Sequence, residues 1–243
     1  MKKILSVLLV LCIAATLFAA AGVTVKVGSA FAFFNGKSVK DTNEPYNPYY
    51  KFKGHGFGFD VEGQYDISDK FMVFASYGKV FPTDVYATIA DDETSGTWEL
   101  WADSLKKLDP EIKYDFKMNF MDVTAGVAYK FDFNAFKLAV GGGVSFNRLL
   151  VKTTNTPKDP SRDDYTEELK ETLSNIAVLG YVEAKYLVSQ NVGITLTAKP
   201  QLNIFSFYNY YIKNKGMDAS GFDRKGISLG FAMPVALGVS YSF

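Results

Sequence analysis

The sequence predicts an all-β fold: a membrane-spanning antiparallel up-and-down β-barrel of eight strands, preceded by a signal peptide. Three observations carry this reading. Apolar and polar residues alternate with period two in segment after segment. The connections between those segments alternate between tight and long. An apolar N-terminal stretch is followed by a run of alanines.

The N-terminal stretch has the layout of an export signal. Lys2 and Lys3 form a positive n-region, Ile4 to Phe18 an apolar h-region, and Ala19-Ala20-Ala21 the small residues a signal peptidase reads. Residues 1–21 are therefore expected to be a signal peptide, and residues 22–243 a single barrel domain. An uncleaved anchor is the rival, because Ile4 to Ala21 is barely long enough to span a bilayer; the alanine-rich end favours cleavage. Cleavage removes Cys12, the only cysteine, and leaves the mature chain without disulfide, thiol nucleophile or Cys-based metal site. It also removes two of the 26 Lys and Arg residues, leaving 24 against 26 Asp and Glu. That balance gives no electrostatic footprint for nucleic acid.

The strands follow in order. Val23 to Phe34 sets Val23, Val25, Val27, Phe31 and Phe33 against Thr24, Lys26, Gly28, Ala30 and Ala32. His55 to Tyr65 sets Phe57, Phe59, Val61 and Tyr65 against Gly58, Asp60, Glu62 and Gln64. Phe71 to Phe81 alternates less cleanly, and Met121 to Phe131, Phe136 to Phe146, Ile176 to Tyr186 and Val192 to Asn203 repeat the pattern. Lys225 to Phe243 completes eight. Ten is the alternative count, because Val85 to Ile89 and Ile112 to Phe120 also alternate, with a phase slip at Phe120/Met121 of the kind a bulge causes. These are read as extensions of the third and fourth strands. Trp98, Trp101, Leu105 and Leu108 are spaced for one face of a short helix, a hydrophobic lid on its loop.

Which face looks outward is decided by chemistry and by the connections. One face carries large lipophilic side chains; the other is dominated by Gly, Ala, Ser and Thr with a few balanced charges, the inverse of a soluble sandwich. The tight connections, Asp66 to Lys70, Asp132 to Ala135 and Leu187 to Asn191, alternate with long ones near residues 35–53, 82–112, 152–173 and 208–224. Short turns at one rim and long loops at the other are the asymmetry of a membrane barrel. With an even strand count, both termini fall on the short-turn side.

The chain ends with Val235, Leu237, Val239, Tyr241 and Phe243 at alternate positions, Phe being terminal. This resembles the β-signal of outer-membrane proteins, which implies recognition by the barrel-assembly machinery through pairing with the last strand. Taken whole, residues 22–243 resemble the small outer-membrane barrels of the OmpA, OmpX and OmpW type. The resemblance implies a cell outer-membrane location and contact with outer-membrane lipid; it does not imply one activity.

Candidate chemistry is sparse. His55 is the only histidine, and Asp103-Ser104 stands in the next long loop. A lipid A palmitoyltransferase family uses these three residue types, but without tight spacing the match carries little, and the His-x-Ser pattern of a related deacylase is absent. No catalytic residue is assigned. Asp91-Asp92-Glu93, Asp163, Asp164, Glu167 and Glu168 lack calcium-loop spacing, so no metal and no cofactor is expected. The inward face is expected to carry Lys26, Lys137, Lys185 and Lys199 against Asp60, Glu62 and Glu183, a balance that suits internal ion pairs. Level inner strand ends, Val23 beside Tyr65, would place Lys26 opposite Glu62. Inward glycines push the other way, since they leave room for a lumen. The expected role is structural or surface-exposed, with at most a narrow passive pore and a ligand met through the long loops. A small-molecule channel is the alternative, and a lipid A-modifying enzyme ranks below it.

Overall fold

Alternation of the kind seen in the sequence forces a strand to present two unlike surfaces, and the chain resolves this by closing its sheet on itself. The computed structural model describes residues 22–38, 49–90, 97–100, 112–157, 167–214, 217–223 and 227–243. The expected signal peptide, residues 1–21, lies outside them. The strands are β1 (Val23–Ser38), β2 (Tyr49–Asp66), β3 (Phe71–Ala90), β4 (Thr97–Leu100), β5 (Ile112–Phe133), β6 (Phe136–Pro157), β7 (Glu167–Leu187), β8 (Val192–Ala198), β9 (Gln201–Asn214), β10 (Met217–Asp223) and β11 (Ile227–Ser242).

Eight wall strands make the barrel. Each pairs antiparallel with its sequence neighbour, apart from short β4 and β10, which add to β3 and β9 outside the ring. Lys199 and Pro200 interrupt the seventh wall strand, dividing it into β8 and β9. Proline has no N–H to give the ladder, yet the break is stitched: Lys199 N donates to Pro234 O at 2.9 Å and Gly180 N donates to Pro200 O at 2.8 Å. β11 pairs with β1 from Thr24↔Ser242 outward and closes the ring. Val23 pairs with Tyr65 and Lys26 with Glu62, the register that level inner ends require.

The tight connections share a mechanism. In the bends at 67–70 and 188–191 a serine hydroxyl accepts from the backbone three residues on, Ser68 from Phe71 N and Ser189 from Val192 N, each at 3.1 Å. Between β5 and β6, Asn134 takes a left-handed φ of 64° and its N–H donates to Asp132 Oδ1 at 3.0 Å. The Lys137 ammonium also hydrogen-bonds Asp132 and holds that carboxyl below the usual carboxylate range.

The exterior is apolar. Val123, Val127, Val144, Val178, Val182, Leu196, Leu237 and Val239 are all more than two-fifths exposed, and none would be so in a soluble core. Aromatic residues flank this band, with Tyr65, Phe71, Phe133, Phe136, Tyr186 and Tyr241 toward the short-turn end and Phe33, Phe57, Phe81, Phe146 and Phe205 toward the other. Aromatic girdles above and below an aliphatic belt are the surface of a barrel in a bilayer.

The eight-strand reading holds, and three other expectations are corrected. The ten-strand alternative fails: Val85 to Ile89 and Ile112 to Phe120 are continuations of β3 and β5. The long connections are correspondingly shorter than expected, because strands run into them; β5 and β6 are 22 residues each, against about 9–11 needed to cross a bilayer. β5 has no bulge at Phe120/Met121, since its register with β6 is unbroken from Ile112↔Pro157 to Phe133↔Phe136. The apparent slip arises because Phe120 points inward, into an apolar cluster. Finally, Trp98 lies in strand β4, opposite Ile89, rather than on a helix; Trp101, Leu105 and Leu108 lie outside the described residues.

Candidate functional site

The inward residues of neighbouring strands converge on two lysines. β1 supplies Lys26 and β2 supplies Glu62 across the same rung. Two-residue spacing keeps Gln64 on the face of Glu62 and Glu183 on the face of Tyr181. The Lys26 ammonium lies 2.6 Å from Glu62 Oε1, ion-pairs with Glu183, and donates to Tyr181 Oη at 3.0 Å and Thr197 Oγ1 at 3.1 Å. The Tyr181 hydroxyl is 2.7 Å from Glu62 Oε1 and 2.6 Å from Glu183 Oε2; its single proton serves one carboxylate at a time. Gln64 Nε2 reaches both carboxylates and the phenol oxygen at 2.7–3.0 Å.

The second lysine extends the network toward the long-loop end. Lys199 Nζ donates to both oxygens of Asp60 at 3.0 and 2.9 Å and to Ser76 Oγ at 2.6 Å. It also lies 3.0 Å from Glu62 Oε2, an ionic contact without hydrogen-bond geometry. Glu62 thus links the two lysines. Beyond Lys199 the lumen is filled by amides: Asn147 Nδ2 donates to Gln201 Oε1 and Asn203 Oδ1 at 2.9 and 2.8 Å, and Asn175 Nδ2 donates to Asn147 Oδ1 at 2.8 Å. Asp122, 1% exposed, receives a long 3.3 Å bond from Gln201 on one oxygen, while its other oxygen has no hydrogen-bond partner.

Apolar clusters lie on either side of the polar zone. Phe34, Val80, Phe120, Leu149, Leu173 and Leu229 pack together toward the long-loop end, with the Phe34 and Phe120 rings stacked at 5.7 Å. On the other side Phe74 stacks on Tyr181 at 4.0 Å, beside Met72, Ala128, Ala139 and Leu179. An eight-stranded barrel has an interior that side chains can just fill, and here the described inward side chains pack across it from Phe74 and Tyr181 to Phe34 and Phe120. The inward glycines do not leave room, contrary to expectation. A Cβ at Gly28 would lie 2.5 Å from Leu237 O, and one at Gly58 only 1.8 Å from Lys79 O. The neighbouring backbone already occupies that space, so these glycines let the wall curve tightly.

The sequence-derived lumen charges fall in two places. Lys26, Asp60, Glu62, Glu183 and Lys199 form the central network. Lys185, also buried, donates to Ser242 Oγ at 3.1 Å near the chain terminus. Lys137 is corrected: it sits at the short-turn rim, 41% exposed, paired with Asp132 at 3.0 Å. Its parity is inward, but it stands one residue from the start of β6, where the barrel has ended. Tyr181, Gln64, Asp122, Asn147, Asn175 and Gln201 are site members that the sequence analysis did not single out; polarity at inward parity is the signal that marks them.

His55 lies on the exterior wall, with its ring 5.8 Å from Phe31 and 6.4 Å from Phe33. Asp103, Ser104, Asp91 to Glu93, Asp163 and Asp164 are outside the described residues. Among the described residues no group of three or more His, Cys, Asp or Glu is placed to hold a metal ion. At the C-terminus, Leu237, Val239, Tyr241 and Phe243 face outward and Val235 is half-buried on the same face. Phe243 N donates to Val23 O at 2.9 Å, joining the two ends of the barrel.

No protein-family model and no curated protein matches the sequence. Solved structures do match. A major outer membrane protein from Thermus thermophilus aligns over 90% of this chain and 99% of its own, at 14% identity and TM-score 0.54. The outer membrane protein OprG from Pseudomonas aeruginosa aligns over 92% and 96%, at 12% identity and TM-score 0.54. The outer membrane protease OmpT from Escherichia coli is more remote, at 9% identity and TM-score 0.41 over 91% and 97%, and carries no argument about activity. With its lipophilic exterior and filled interior, the chain has the fold of the small bacterial outer-membrane β-barrels.

Proposed function

We propose that the protein is an integral barrel of the cell outer membrane with a structural or surface-presenting role, without catalysis and without an open pore. The filled lumen is the observation that carries this reading. Removing one partner of a fully buried ion pair costs about 3–5 kcal/mol, so the linked set of Lys26, Glu62, Glu183, Asp60 and Lys199 resists the rearrangement a wide conduit would need. Strands that run well past the bilayer support the surface-presenting part of the role, since they lift the long-loop connections away from the membrane to meet an extracellular ligand.

The route to the membrane belongs to the same proposal. Residues 1–21 act as a cleaved export signal, and Val235, Leu237, Val239, Tyr241 and Phe243 act as the assembly signal read by the barrel-assembly machinery. The β1–β11 seam is where a last strand held by another sheet would finally close. Liposome swelling in isotonic arabinose tests the pore question. Protein-containing vesicles should swell no faster than empty ones; swelling that scales with protein content would favour the small-molecule channel instead.

A further inference from the structure

At Lys199 the lumen network has a geometry that an ion pair alone does not call for. Lys199 stands in the break between β8 and β9, its backbone N–H held 2.9 Å from Pro234 O. Its side chain reaches past β11 and β1 to β2, 139 residues away in sequence, where Nζ faces both oxygens of Asp60 at 3.0 and 2.9 Å. Two nearly equal distances set the nitrogen opposite the carboxyl carbon that joins those oxygens. Glu62, on the same inward face of β2, places Oε2 3.0 Å from the same nitrogen. Among the described residues that oxygen accepts no hydrogen bond. Lys199, Glu62 and Asp60 are 1%, 0% and 5% exposed, so bulk water does not reach them. Lys26 is held differently. It meets Glu62 through Oε1 and Glu183 through Oε2, one oxygen of each, and both oxygens are shared with Tyr181 and Gln64.

We propose that Lys199 and Asp60 condense in the folded barrel to form an isopeptide bond, with Glu62 carrying the proton. An amine is a nucleophile only when neutral, and a buried ammonium and carboxylate neutralise one another by moving a single proton. Lys199 Nζ then attacks Asp60 Cγ, and the C–N bond forms. Glu62 Oε2 takes a proton from the nitrogen and delivers it to an Asp60 oxygen; the C–O bond breaks and one water leaves. One ammonium and one carboxylate thus become one amide and one water, with charge conserved and no oxidant or co-reactant. In bulk water this condensation is unfavourable, whereas fixed reactants and exclusion of water favour the amide. The product also replaces two buried charges, whose desolvation opposes folding, by a neutral group. Its N–H keeps Glu62 Oε2 as an acceptor. The step occurs once, on the chain itself, and turns over no substrate. Its result is a covalent brace across the lumen, tying β2 to the strand break that Pro200 imposes.

The test is intact-mass spectrometry of protein purified unfolded from inclusion bodies and then refolded into detergent. Chain held in denaturant should keep the mass of its sequence. Refolded chain should become lighter by one water, and its digest should contain one branched peptide joining the Asp60 and Lys199 segments. This comparison needs no variant. K199R, which keeps the positive charge, should retain full mass while still showing a heat-dependent gel shift. E62Q should form the link about a hundredfold more slowly, the usual worth of a positioned proton carrier. Refolded wild type that shows the gel shift and still keeps its full mass would overturn the proposal. So would a loss of water that maps to other residues or persists in K199R. An E62Q rate equal to that of wild type would overturn the role given to Glu62.

Discussion

Glu62 is the residue on which the interior turns, because its two oxygens touch different lysines, Lys26 at 2.6 Å and Lys199 at 3.0 Å. Glu62→Ala and Lys26→Ala should each lower barrel stability by about 3–5 kcal/mol, since each strands a buried charge. The double variant should recover part of the loss, and urea unfolding of folded protein in vesicles measures the coupling. Absence of coupling would mean that water, not Glu62, solvates Lys26. Tyr181→Phe should cost less, about 1–3 kcal/mol, because it removes one hydroxyl and leaves the ion pairs in place. These residues were legible as inward polar positions, and the Lys26–Glu62 rung follows from strand ends alone. Asp122 and Tyr181 were less so: period two fixes a face but not which distant strands meet across a lumen. Lys137 shows the same limit, since parity says nothing about where a barrel ends.

At the scale of the strand, alternation works while one side of the wall meets lipid and fades where both sides change. Phe120 illustrates this. Within the bilayer an inward phenylalanine breaks the pattern and resembles a bulge; at the outer end it is one member of an apolar cluster with Phe34 and Leu149. Phe120→Ala should therefore destabilise by about 3–5 kcal/mol without altering strand register, which tryptic mapping and unfolding together would check. The last strand has its own prediction. Deleting Phe243, or replacing Tyr241 and Phe243 with Ala, removes a T-shaped ring pair at 4.8 Å beside the β1–β11 seam. Outer-membrane levels, measured by fractionation, should fall severalfold while synthesis stays constant. Undiminished levels would refute the assembly role of this segment.

For the whole molecule, the barrel class was readable because three independent constraints agreed: the inverted alternation, the asymmetry of short and long connections, and the two chain ends. The closed ring, with β1 against β11, is the arrangement that leaves no wall strand with an unpaired edge in the bilayer. The state of the lumen was not readable in the same way. Inward glycines suggested space, yet the space is taken by neighbouring backbone drawn close by curvature. A closed ring with a filled interior should resist detergent until heated, so boiled and unboiled samples should migrate differently on a gel.

The closed lumen is tested most directly by single-channel recording of the purified protein in a planar lipid bilayer. Insertion, verified by protease protection of the short-turn end, should leave the membrane at baseline conductance, with no discrete steps above rare, small and non-selective events. Regular steps of uniform size that disappear in a variant bulked up in the lumen, such as Ser145→Phe, would contradict it, because ions would then be crossing where Lys26, Glu62, Tyr181 and Phe74 are packed together.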